Sequence, residues 1–185
     1  ADEGMWLFND VPVAQVQARL GVTLTPAWLD HVRLSAVRIA GGCSASVVSP
    51  QGLVMTNHHC ARGCVDAIAA RTQRDLAREG FLAGTREQEL NCPGMEINRL
   101  EEITDVTARV QQATQGLPAE RFDSAQRGVM STIERECAAS DDQRCEVVPL
   151  FHGGRYDLYR YRRYQDVRLV FSPEDAIGDR KSTRL

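Results

Sequence analysis

The chain has 185 residues, 43% of them hydrophobic, with 22 Lys+Arg against 25 Asp+Glu for a formal net charge of −3. That length supports one domain or slightly more, with a sizeable core. The near-balanced charge, without a basic stripe or a like-charged tail, speaks against nucleic acid as a partner, and no apolar run approaches the ~20 residues that span a bilayer, so no membrane partner is expected.

Met5 to Leu20 carries apolar residues at helical intervals (Val13, Val16, Leu20), with Gly21 where a C-terminal cap belongs, and predicts a short amphipathic helix. Thr25-Pro26-Ala27-Trp28-Leu29 reads as an N-cap followed by proline at the first helical position, continuing through His31 and Val32. Ser35 to Ile39 alternates into a strand, and Gly41-Gly42 allows a turn. Ala45 to Ser49 and Leu53 to Thr56 are two short strands separated by Pro50-Gln51-Gly52, a β-hairpin that delivers Asn57-His58-His59-Cys60 at its end. From Val65 to about Leu82, and again from Glu101 to Ala139, charged, alanine-rich segments with three- and four-residue apolar spacing (Ile103, Val106, Val110) predict helices, broken at Gly116-Leu117-Pro118. Strands resume over Cys145 to Val148, Asp157 to Tyr164 and Val167 to Phe171. The fold class expected is mainly β with helices, α+β.

Six cysteines, Cys43, Cys60, Cys64, Cys92, Cys137 and Cys145, are an even count for a chain of this size and suit an oxidising compartment, periplasmic or secreted. The alternative is six reduced core thiols in a cytosolic protein. A start on Ala1-Asp2-Glu3 without methionine fits either a chain freed of its signal peptide or a partial sequence. The stretch GLVMTNHHC (52–60) admits three readings: a metal site, a redox thiol, or the histidine of a serine peptidase. Zinc needs compact ligand pairs; Cys60-x3-Cys64 with His58 or His59 supplies half a site, and no second Cys/His pair follows. No metal and no cofactor is therefore expected.

Hairpin, cysteines and histidine coincide here as in chymotrypsin-like peptidases, where a cysteine-bearing strand turns into a second strand ending T-A-A-H-C. The run G-C-S-A-S-V-V-S-P-Q-G-L-V-M-T-N-H-H-C (42–60) resembles the signature of bacterial serine exopeptidases of the dipeptidyl peptidase 7 and 11 kind, including dipeptidyl aminopeptidase BII. Gly4-Met5-Trp6, Gly80-Phe81-Leu82-Ala83 and YRRYQDVRLVFSPEDAI (161–177) resemble the same family. The resemblance implies that residues 1–177 are the N-terminal part of a chymotrypsin-like double β-barrel peptidase domain, with N-terminal and intervening helices and a separate helical domain that caps the cleft. It also implies release of dipeptides from peptides with a free N-terminus, and homodimerisation of the full-length protein. His59, next to the cysteine, matches the catalytic base; the family's aspartate falls just after Ile177 and its serine far beyond, so the fragment alone should be inert. Cys43 with Cys60 is implied by the same resemblance. Cys137 with Cys145 follows from their short separation, and Cys64 with Cys92 by elimination.

Strand alternation directs His58 away from His59 and makes it structural. His31 and His152 have no partner motif. Asp105 lies at a trypsin-like separation from His59, but within the helical-looking EEITDVTARV. Ser44 and Ser46 precede the histidine, and no nucleophile elbow occurs anywhere. The last seven residues, DRKSTRL, continue no element, and a common sequencing adapter read in frame encodes them; 178–185 is expected to be a non-native tail. If that tail is native instead, the alternative is a non-catalytic periplasmic binding or interaction domain derived from a peptidase.

Overall fold

A computed structural model describes residues 5–178. Helix α1 is Val13–Leu20, shorter than the expected helix from Met5: Pro12, with φ of −74°, stands at its N-cap, and the chain before it is not helical. Gly21, left-handed at φ 68°, returns its N–H to the Gln17 carbonyl and ends the helix. Helix α2 is Pro26–Ser35, and its Trp28 N–H donates to Thr25 Oγ1 at 3.2 Å. Strands β1 (Ala36–Ile39), β2 (Cys43–Val47) and β3 (Val54–Thr56) lead into α3 (His58–Thr72) and the single turn α4 (Leu76–Glu79). Then come β4 (Phe81–Leu82), β5 (Leu90–Asn91), β6 (Ile97–Asp105), α5 (Thr107–Thr114) and α6 (Ala119–Cys137). Strands β7 (Gln143–Leu150), β8 (Arg155–Tyr164), β9 (Arg168–Leu169) and β10 (Phe171–Ser172) precede the final turn α7 (Asp175–Gly178).

Two further expectations need correction. Asn57-His58-His59-Cys60 does not extend the hairpin; Asn57 is the extended N-cap residue of α3, and the histidines open that helix. Glu101 to Asp105 is strand, not helix: Glu101 and Glu102 reach across to Arg160 of β8 at 3.4 and 2.7 Å, and the three-four spacing of Ile103, Val106 and Val110 straddles the end of β6 and the start of α5.

The fold is α+β with mostly antiparallel pairing, and the registers of β2–β3, β4–β10, β5–β9 and β7–β8 are all antiparallel. The chain divides into two compact units, one of residues up to 36 with 99–162, the other of 37–98 with 163 onward. In the first, strands run in the order β6-β8-β7, and α5 and α6 lay Val110 and Ile133 onto Val147 and Tyr156. The Tyr156 hydroxyl accepts from Gln126 at 2.5 Å, and Cys137–Cys145 ties the end of α6 to β7. Asp157, fully buried, accepts from Arg155 Nε at 2.8 Å and Asn9 Nδ2 at 3.3 Å, so its charge is compensated.

The second unit has the order β3-β2-β1 and two cores. Val37, Ile39, Ala45 and Ile97 pack under the hairpin; Val65, Ile68, Leu76 and Leu169 pack around the Cys64–Cys92 disulfide. Gly80 (φ 67°, ψ −177°) lets β4 approach β10, because a Cβ there would lie 3.1 Å from the Ser172 carbonyl oxygen. Among the described residues no helix is long and apolar enough to cross a membrane. The expected foreign tail, apart from Gly178, lies outside the described residues.

Candidate active site

The hairpin register sets Ala45 opposite Thr56, Ser46 opposite Met55 and Val47 opposite Val54. Its loop closes through the Val48 N–H to the Leu53 carbonyl at 2.8 Å and the Leu53 N–H to Ser49 Oγ at 3.0 Å, with Gly52 at φ 88°. At the far end Thr56 Oγ1 donates to the Ser44 carbonyl at 2.8 Å, and the Cys60 N–H donates to the Asn57 carbonyl at 3.0 Å to start α3. The Cys43–Cys60 disulfide then joins the first residue of β2 to the first turn of α3, closing a separation of 17 residues. Strand, turn, strand and helix start form one crosslinked corner, and His59 sits in it.

The two histidines do diverge, but by helical rotation of about 100° per residue and not by strand alternation. His58 turns inward: its side chain is 9% exposed and Nε2 lies 3.2 Å from Asp175 Oδ1. Its Nδ1 is buried and has no hydrogen-bond partner among the described residues. His59 is exposed, and no group among the described residues hydrogen-bonds its ring. Of this pair, His59 is the one whose imidazole a proton donor reaches from solvent.

All six cysteines are in disulfides, Cys43–Cys60, Cys64–Cys92 and Cys137–Cys145. The ligand atoms of Cys43, His59 and Cys60 lie within 4.8 Å of one another. Both sulfurs are bonded to each other, however, so they are not the thiolates a metal requires, and Cys64 is likewise spent on Cys92. The half-site of Cys60, Cys64 and a histidine is not formed.

Asp105 ends β6 and accepts the Thr107 N–H at 2.8 Å, starting α5; hydrogen bonds from the Thr107 side chain and backbone hold its carboxyl below the usual range. It belongs to the first unit, His59 to the second. Ser44 and Ser46 lie on the exposed face of β2. His31 and His152 are exposed, the latter in a left-handed turn at φ 55°. An open groove of about 690 Å³ in the second unit, lined by Phe81, Leu82, Phe171 and Ile177 among others, includes neither His58 nor His59. The residue missed from sequence is Asp175: SPEDAI carries no local sign that its aspartate meets a histidine of TNHHC.

The chain belongs to the peptidase S46 family, whose profile matches residues 1–179. It is 33% identical over 187 residues to the dipeptidyl-peptidase 7 of Porphyromonas endodontalis, covering 96% of this chain and 23% of that protein. It is likewise 33% identical over 183 residues to the Asp/Glu-specific dipeptidyl-peptidase of Shewanella putrefaciens, covering 96% and 25%. The crystal structure of Porphyromonas endodontalis DPP11 in complex with the dipeptide Arg-Glu matches with a TM-score of 0.75 at 30% identity, covering 96% of this chain and 27% of that one. The chain spans about a quarter of the length of the curated relatives it matches.

Proposed function

We propose that this chain is the histidine-bearing part of a serine-type dipeptidyl aminopeptidase that releases dipeptides from the free N-terminus of peptides. The observation that carries the reading is the exposed His59, without a hydrogen-bond partner among the described residues, in a corner locked by Cys43–Cys60, beside a His58 whose ring is already engaged. A general base must hold one nitrogen within hydrogen-bond reach of a serine hydroxyl, take its proton, and return it to the leaving amine. A crosslinked corner keeps the imidazole in place through both transfers. In the full-length protein the aspartate and serine come from sequence beyond Gly178, within a double β-barrel capped by a helical domain. In this reading the fragment, whose sequence carries no nucleophile-elbow motif, forms no acyl-enzyme.

Three disulfides support a periplasmic or secreted location. The substrate is a peptide with a free amino terminus; relatives named dipeptidyl-peptidase 7 and Asp/Glu-specific dipeptidyl-peptidase match at the same 33% identity, which favours neither side-chain preference. The full-length protein is a homodimer in this reading.

The test is hydrolysis of dipeptidyl chromogenic substrates. The 185-residue chain releases no dipeptide; the full-length protein does, and His59→Ala lowers its kcat by several orders of magnitude. Turnover by the short chain, or a full-length His59→Ala enzyme as active as its parent, overturns the assignment.

A further inference from the structure

His58 and Asp175 are far apart in sequence and meet within the second unit. The Asp175 carboxylate takes His58 Nε2 at 3.2 Å on one oxygen and Arg62 Nη2 at 3.4 Å on the other. His58 and Arg62 stand one turn apart on α3, so two side chains of one helix face converge on a single carboxylate of α7. The His58 ring is closed in by Gly178, where a Cβ would lie 2.7 Å from Cγ and 2.8 Å from Cδ2. Its buried Nδ1 has no partner among the described residues, and a buried nitrogen left without one is destabilising. Packing alone does not account for a histidine at this position.

The first turn of α3 is otherwise weakly held. Asn57 makes no side-chain capping bond, so the opening N–H groups lack the restraint that keeps a helix start from fraying. Two anchors replace the cap, and they flank one residue: position 58 is tied to Asp175, position 60 to Cys43. His59 lies between them, and its backbone direction is set by both. We propose that the His58–Asp175 contact is a positioning device for His59, holding the first turn of α3 so that the exposed imidazole keeps its aim during proton transfer. The inference rests on His59 being the base of the proposed peptidase.

The experiment compares full-length His58→Ala, His58→Gln, Asp175→Ala and His59→Ala enzymes, with kcat and KM expressed per folded active site from the folded fraction read by near-UV circular dichroism. A misplacement near 1 Å costs on the order of 100-fold in rate, so His58→Ala and Asp175→Ala should lose about 10- to 100-fold in kcat with KM little changed. Glutamine places an amide N–H near the position of Nε2, facing the Asp175 carboxylate, and His58→Gln should recover to within about threefold of the parent. A merely structural histidine would lower the fraction folded and leave kcat per site unchanged, and that result overturns the proposal. So does a rise in KM at constant kcat, or a His58→Gln enzyme no better than His58→Ala. Should His59→Ala stay active, the peptidase reading itself fails; should it be dead while Asp175→Ala keeps full kcat, only the positioning role is lost.

Discussion

Replacing Cys43 and Cys60 together by serine removes the crosslink that closes the corner around His59. The bridge spans 17 residues, and the chain-entropy relation for a loop of that size gives ~3 kcal/mol at 25 °C. The same relation gives ~3.6 kcal/mol for Cys64–Cys92, separated by 28, and ~2.5 kcal/mol for Cys137–Cys145, separated by 8. The serine hydroxyls would also face Val37, Ile39 and Ala45, adding a cost in the same direction, which is small because both positions are only partly buried. Urea unfolding followed by far-UV circular dichroism reads the loss; with a slope of about 2 kcal/mol/M the midpoint falls by roughly 1.5 M. A loss below that of the Cys137–Cys145 double variant would refute the reasoning. It would mean that the hairpin bonds and the Val37 core already confine the corner without the bridge.

Gly80→Ala forces a side chain into a backbone region open almost only to glycine and against the Ser172 carbonyl, so it should cost about 1–3 kcal/mol in the same unfolding measurement, and an unchanged midpoint would contradict it. Ile68 is fully buried beside Cys64–Cys92; Ile68→Ala should lose about 2–5 kcal/mol and Ile68→Val about 0.5–1.5, an ordering that fails if the site collapses around either change. Hydrogen bonding from Arg160 holds the Glu102 carboxyl, from Arg168 the Asp166 carboxyl, and from Ser140 the Asp142 carboxyl, below the usual range. The folded chain therefore binds fewer protons there than the unfolded one. Their stabilisation is complete above the unfolded values, about 3.9–4.3, and is lost as pH falls through the folded ones, so urea midpoints should be level from about pH 5 to 7 and drop below about pH 4. A midpoint unchanged at pH 3 would contradict this.

Elements whose cause is local were legible in the sequence. Thr25-Pro26 starts α2 because a hydroxyl accepts an N–H three residues on; Pro50-Gln51-Gly52 turns the hairpin because glycine takes the positive φ; Gly116-Leu117-Pro118 separates α5 from α6. The catalytic candidate, His59, was named from the resemblance of the TNHHC run to a peptidase signature, not from any local periodicity. The local code misled where two periods overlap. Ile103, Val106 and Val110 mimic one helix only because β6 ends and α5 begins between them, and the Arg160 that holds Glu101 and Glu102 in a strand lies on β8.

What the tertiary structure alone decided is which histidine is engaged and by what. The sequence set His58 apart from His59 by strand alternation, but it named no partner for His58. The helix beginning at His58 turns that ring toward α7, and the carboxylate waiting there also meets Arg62 across 113 positions of chain. No periodicity encodes a pairing at that distance. It arises only when the cores built on Ile39 and Ile68 bring the two ends of the second unit's sequence together, leaving His59 exposed in the crosslinked corner.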